Sequence, residues 1–330
     1  MPTTTTTTQV APGTQAFYDR NLLERAKPAE VHGRHGQKRP ISKKSGNQIK
    51  FRRYSALAAA TTPLVEGVTP TGSSLAVTDI TATLAQYGDF VLLSDVVDMV
   101  NQDSVITEAT DVLGDQAGLT IDQVRRDVLV AGSNVAYAAG LASRITTNTK
   151  LVAADFDKAI RFLKNQNAKM VTSGIPASTG VGTSGIRKGY VAIVHPDVEY
   201  DVESLVGFKP VSDYPSGVSV MEDEIGAYKN IRFVSSTNAK VFAGAGAAGT
   251  TVFKNNGANF DIYATLIIAE NAYGICPLTG EAMRTIVKPM GSAGSADPLE
   301  QRASVGWKAM TTTKILNEAW MIRLESAASL

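Results

Sequence analysis

The sequence predicts an α+β fold whose domains are discontinuous along the chain. Three observations point there. The elements run as an irregular arm, a long hairpin, a long helix, a mixed α/β middle and late strands, not as a repeating β–α alternation. Hydrophobic residues make up 44% of the 330 residues, which supports a sizeable core and either two domains or one with insertions. The charges are sorted along the chain, although the net charge is only +1. Lys27 to Arg53 holds nine Lys or Arg and one acid, Glu30, whereas Tyr54 to Arg144 holds eleven Asp or Glu against Arg125, Arg126 and Arg144. A basic stretch without hydrophobic periodicity cannot fold alone. It is expected to lie along something negative: its own acidic segment, a neighbouring copy's, or nucleic acid.

In chain order, Thr3 to Thr8 with Pro12 and Gly13 predict disorder in a free subunit. Phe17 to Arg25 is a short helix carrying Phe17, Leu22 and Leu23. Residues 27–48 are polar, basic and irregular. Ile49 and Phe51 alternate with Lys50 and Arg52, the pattern of a strand. Small residues from Ala56 to Thr62 lead to a turn region punctuated by Pro63, Gly67, Pro70 and Gly72. Val77, Thr78, Ile80, Ala82 and Leu84 form the return strand. The whole is a hairpin of roughly 40 residues, longer than compact domains bury.

Two helices are expected next. Ser94 caps the first before Asp95, with Val96, Val97, Val100, Ile106 and Val112 near one side. Thr120 caps the second, which carries an apolar stripe of Ile121, Val124, Val128 and Val135 and runs to about Arg144. Asp155 caps a further helix with Phe156, Ile160 and Leu163 inward. Ser173 to Gly185 reads as a loop, Tyr190 to Val194 as a buried strand ending at His195-Pro196, and Asp197 to Val206 as a short helix. Ile231–Val234, Thr251–Phe253 and Ile262–Ala269 read as strands, Gly291–Asp297 as a flexible loop, and Ser304–Leu324 as one long β-rich stretch.

Tests for chemistry return little. Gly180-Gly182-Gly185 and Gly244-Gly246-Gly249 match the glycine pattern of dinucleotide sites. Such a site needs a helix N-terminus after the glycines, and strand-like residues follow both matches. His32 and His35 lie in the basic arm; His195 ends a strand with no nucleophile elbow in view. The single cysteine, Cys276, excludes an internal disulfide and reads as a small buried apolar group. The carboxylate run Glu222-Asp223-Glu224 reads as a solvated face. Zinc, P-loop, H-E-x-x-H and EF-hand patterns are absent, so no enzyme, cofactor or metal is expected. The opening Met1-Pro2 and Thr run lacks the apolar core of a secretory signal, and no run of about 18 apolar residues suggests a membrane span. The basic segment would contact nucleic acid through phosphates, since aromatics are sparse there (Phe51, Tyr54) and base stacking is not suggested. The adjacent acidic segment favours protein–protein pairing.

Several separated motifs carry a resemblance. They are Arg53-Tyr54-Ser55-Ala56-Leu57 through Thr62-Pro63-Leu64-Val65-Glu66-Gly67-Val68-Thr69-Pro70; Gln86-Tyr87-Gly88-Asp89; Ile193-Val194-His195-Pro196-Asp197; and Gly294-Ser295-Ala296-Asp297-Pro298-Leu299 to Gly306-Trp307-Lys308-Ala309. Together, over roughly Ile49 to Leu324, they resemble the major capsid proteins of tailed bacteriophages. The nearest group is the N-four-like podovirus family, with the Hong Kong ninety-seven phage capsid fold. The resemblance implies an N-terminal arm (1–48) and an extended loop (49–93). It implies a peripheral domain with a long spine helix (94–184, completed by strands of 286–330) and an axial domain (185–285).

The implied function is self-assembly into hexamers and pentamers of an icosahedral head around double-stranded DNA, in the virion after assembly in the host bacterial cytoplasm. The implied partners are other copies of the chain, scaffold, portal and decoration proteins, and packaged DNA by non-specific contact, with no membrane. The arm residues expected at inter-subunit contacts are Arg34, Lys38, Arg39, Lys43, Lys44, Lys50, Arg52 and Arg53. Those of the loop are Leu64, Val65, Glu66, Val68, Leu75 and Val77. Alternative readings are the shell of a cellular nanocompartment with this fold, or a minor nucleic-acid-associated coat protein.

Overall fold

The computed structural model describes residues 30–96, 105–177, 185–215, 220–249, 253–280, 282–292 and 297–330. The expected Thr-rich tail, the helix at Phe17–Arg25, Val97, Val100, Gly180, Gly182 and the middle of the Gly291–Asp297 loop lie outside these residues.

The first strands are β1 (Gln37–Lys38), β2 (Gln48–Tyr54), β3 (Val77–Thr83) and β4 (Ala85–Ser94). Helix α1 (Val105–Val130), β5 (Val135–Tyr137) and helix α2 (Ala153–Asn165) follow. The middle holds β6 (Tyr190–Val194), helix α3 (Pro196–Glu203), β7 (Phe208–Pro210), β8 (Glu224–Tyr228), β9 (Ile231–Ser235) and β10 (Val241–Phe242). The last strands are β11 (Ile262–Ile268), β12 (Tyr273–Pro277), β13 (Arg284–Lys288), β14 (Arg302–Ile315) and β15 (Met321–Ser326).

Two sheets organise the body. The larger has the order β5-β15-β11-β6-β9-β8-β7, with β10 on β11. In β6, Tyr190, Ala192 and Val194 face α2 and α3, whose Phe156, Leu163, Val198 and Val202 complete that core. Val191 and Ile193 point to the opposite face, where Leu129, Leu266, Ile275 and Tyr273 pack. Both faces are covered, which explains why Tyr190–Val194 reads as an uninterrupted apolar run. The smaller sheet is built on β14. One edge of β14 pairs with β4, the other with β13 and then β12, and β1 adds parallel to β12. Helix α1 lies across this sheet, with Leu113, Ala117 and Ile121 against Val305, Trp307 and Ala309. The base of the hairpin, β2–β3, is a third and separate two-stranded sheet.

Four expectations need correction. The helix expected from Thr120 to about Arg144 is instead α1, 26 residues long, or about 39 Å, ending at Val130. Thr120 is interior to it, and Val135–Tyr137 is a strand pairing parallel with β15. Gly114 and Gly118, which locally disfavour helix, are buried with Ala117, and close packing of that small-sided face outweighs propensity. Val112, expected inward, is 65% exposed. Asp155 is not the N-cap of α2 but sits in its first turn, its carboxylate accepting from the Val152 and Ala139 amides. Finally, Ser304–Leu324 is not one strand. The chain leaves the smaller sheet after Ile315, turns where Asn317 Oδ1 accepts from the Ala319 amide, and enters the larger sheet as β15.

Candidate inter-subunit surface

The hairpin base forms as its alternation requires. Gln48 to Tyr54 pairs antiparallel with Val77 to Thr83, and Arg52 Nε donates to Asp79 Oδ1 at 3.1 Å across the pair. That bond holds the exposed Asp79 carboxyl below its ordinary range and raises Arg52. Residues 55–76 beyond it are exposed throughout. Leu57, Leu64, Val65, Val68 and Leu75 all stand open, Leu64 at 78%. Glu66 is the one charge in this 55–76 end. Its backbone holds three bonds outside strands: Ser55 to Ala76, Thr61 to Ala59 and Val68 to Val65. A weakly apolar segment with one charge and few bonds of its own does not hold a defined shape in water.

Between hairpin and body lies a groove of about 870 Å³. Arg39, Lys50, Arg52 and Arg53 line it with Phe51 and Trp320, and no acid lines it among the described residues. Of the remaining expected contact residues, Arg34 is engaged within its own subunit, with Glu222 at 3.2 Å and Asp223 at 3.0 Å. Lys38 is in β1 against β12, Val77 starts β3, and Lys43 and Lys44 lie in an exposed turn. The described part of the arm therefore packs on its own chain up to Ile41, whose amide donates to Pro277 O at 3.0 Å. The structure brings the four groove cations together, while Leu64, Val65, Glu66, Val68 and Leu75 do not line that groove.

One exposed apolar patch was missed by sequence reasoning. Gln86–Asp89 registered only as a motif, yet 85–94 is an edge strand whose Phe90, Val91 and Leu92 are open to solvent. Its alternation is obscured because both its faces are largely uncovered.

The residues tested for catalysis have structural tasks. The Gly244–Gly249 loop does not enter a helix: Gly246 donates to Phe260 O, and a Cβ there would meet Ile262 Cδ1 at 2.7 Å and Phe260 O at 2.9 Å. His195 Nδ1 accepts from the Asp197 amide at 3.1 Å, capping α3. Cys276 is fully buried, and burial pushes its thiol up to about 11. Of the carboxylate run, Glu224 is not solvated: it is buried and grips Arg232 through both oxygens, with Tyr214 Oη donating to it at 2.7 Å. No group of three His, Cys, Asp or Glu is placed to hold a metal among the described residues, and no helix there is long and apolar enough to cross a membrane.

The sequence profile of the phage capsid protein family matches residues 76–323. The chain belongs to the phage capsid protein family. Solved capsids share its fold. The capsid of Ralstonia phage GP4 is 13% identical, with a TM-score of 0.66 over 89% of this chain and 87% of that one. The capsid of cyanophage P-SCSP1u is 15% identical, with a TM-score of 0.61 over 91% and 89%. The cyanophage Pam1 capsid is 13% identical, with a TM-score of 0.60 over 92% of each chain. No curated protein matches. This phage capsid protein is thus a structural component of the virion shell.

Proposed function

We propose that copies of this capsid protein form the hexamers and pentamers of an icosahedral head enclosing double-stranded DNA, in the manner of N-four-like podoviruses with the Hong Kong ninety-seven phage fold. In that reading α1 is the spine helix, β2–β3 with residues 55–76 is the extended loop, and residues 1–48 are the arm. The smaller sheet with α1 corresponds to the peripheral domain and most of 185–285 to the axial domain.

The observation that carries the proposal is the hairpin end. Its exposed apolar residues are an unfavourable surface for a monomer and a natural one for a neighbour to cover. Leu64, Val65, Glu66, Val68, Leu75 and Val77 make that contact, and the basic residues Lys38, Arg39, Lys43, Lys44, Lys50, Arg52 and Arg53 meet acidic surface on adjacent subunits. Each contact contributes little alone, but ring and shell closure multiply them. Scaffold, portal and decoration proteins are the further partners of this reading. Electron microscopy of the purified protein tests it. Closed shells with sixfold and fivefold units are expected, and a protein that stays monomeric under all assembly conditions defeats it.

A further inference from the structure

The arm enters the described structure through a turn that touches three elements at once. Val31 and His32 are buried there. The His32 amide donates to Asp122 Oδ1 at 2.7 Å, and its Nδ1 lies 2.8 Å from Asp122 Oδ2. Asn238 Nδ2 donates to the same oxygen at 2.7 Å, and Tyr273 Oη donates to His32 O at 2.6 Å. Glu30 pairs with Arg125 at 2.6 Å. The turn so joins α1, the loop after β9 and the start of β12. The packing is close: a Cβ on Gly33 would displace the Arg125 guanidinium that Glu30 holds.

Within this contact two imidazole nitrogens are stranded. The Nε2 atoms of His32 and His35 are shielded from solvent, and neither has a hydrogen-bond partner. A neutral ring tolerates this, since Nε2 is then only an unused acceptor. A protonated ring puts an N–H⁺ where nothing accepts it, and a buried donor without an acceptor is costly. His32 has Asp122 beside it to offset a charge. His35 does not. The charged and titratable groups around the turn are Glu30, His32 and Arg34 on the arm, Asp122 and Arg125 on α1, Tyr273 on β12, and Glu222 and Asp223, which Arg34 already engages.

We propose that the turn from Val31 to Gly36 is a proton-sensitive latch. With His35 neutral it clamps the arm to its own subunit; protonation of His35 releases residues 31–41, including β1, and frees the basic arm. Burial, together with the charges of Arg34 and His32, holds the His35 imidazole down at about 4 against an ordinary 6.5. The sign follows from linkage. A released arm binds a proton below pH 6.5, a docked one only near 4, so docking is at full strength above 6.5 and weakens as pH falls towards 4. Asp122, also held below its ordinary 3.8 against its own burial by His32 and Asn238, adds a loss only at still lower pH. What the freed arm does in assembly rests on the shell reading above; the latch itself does not.

Hydrogen exchange on the full-length subunit tests it, with rates normalised for the pH dependence of chemical exchange. The amides of His32, Arg39 and Ile41, bonded to Asp122, Ile275 and Pro277, report docking. Between pH 7.5 and 5.0 their protection is expected to fall roughly 30-fold, while β11 amides keep theirs. His35→Gln should hold the loss below about threefold. If that variant is already undocked at pH 7.5, His35→Leu replaces it. If both are undocked, the wild-type midpoint decides: between 6.5 and 4 upholds the latch, and at or below the carboxylate value of 3.8 overturns it. Flat wild-type protection, or a His35→Gln loss equal to wild type, also overturns it. Closed shells by microscopy with flat exchange would reject the latch alone.

Discussion

At the scale of single residues, buried polar groups define the most sensitive positions. Arg232 and Glu224 are both shut away from water, and each satisfies the other. Removing one partner strands the other charge. Arg232→Met is therefore expected to lower stability by roughly 3–5 kcal/mol, read as a drop in the urea midpoint with an unchanged slope. Gly246 is the second sensitive position. Val there must push Ile262 and the Phe260 carbonyl aside, so Gly246→Val should destabilise the start of β11 and lower the melting temperature. A variant that melts like wild type would show that the loop gives way freely.

At the scale of elements, the hairpin is expected to separate folding from assembly. Its base is paired strand for strand, but 55–76 contributes nothing to either core cluster of the body. Deleting Leu64 to Ser73 should leave a folded subunit, with unchanged circular dichroism and melting, that fails to form shells. Normal particles from the deletion would place the inter-subunit contact elsewhere. The arm offers a parallel case. Replacing Lys38, Arg39, Lys43 and Lys44 together with Gln should lower assembly yield while the isolated subunit keeps its spectrum. Single replacements are expected to be silent, because an exposed pair contributes only about 0–1 kcal/mol. If the arm instead lies on packaged DNA, the same mutant will form normal empty shells and differ only once filled.

At the scale of the whole molecule, the charge sorting has a partial internal resolution. His32 meets Asp122 and Arg52 meets Asp79, basic segment to acidic segment within one subunit, but among the described residues no acid lines the groove that Arg39, Lys50 and Arg53 share with Arg52. Contacts that these cations make between subunits should weaken with salt, as the screening length falls from about 10 Å at 0.1 M to about 3 Å at 1 M. Light scattering of assembly across that range is expected to show a falling yield, and a yield that rises steadily with salt would assign the contact to apolar surface alone.

Period-two alternation at Ile49–Phe51, the bare apolar run Tyr190–Val194 and the heptad-like Phe156–Ile160–Leu163 each carry a local signal strong enough to name the element, and all three were legible. So was the hairpin with its turn-rich, weakly apolar end, and so was membership of the phage capsid protein family, because its motifs are short, local and ordered. The long helix was legible in kind but not in place. Gly114, Gly118 and Thr120 look like a break, and only the nearness of β14 makes a smooth, small-sided helix face favourable there. Edge strand β4 gave no alternation because neither of its faces is well covered, so its identity rests wholly on ten backbone partners in β14. The division of 302–326 between two sheets, and the pairing of His32 with Asp122 across 90 residues, depend on long-range contacts. No window of sequence contains both partners of such a contact, so they exist only once the chain has closed on itself.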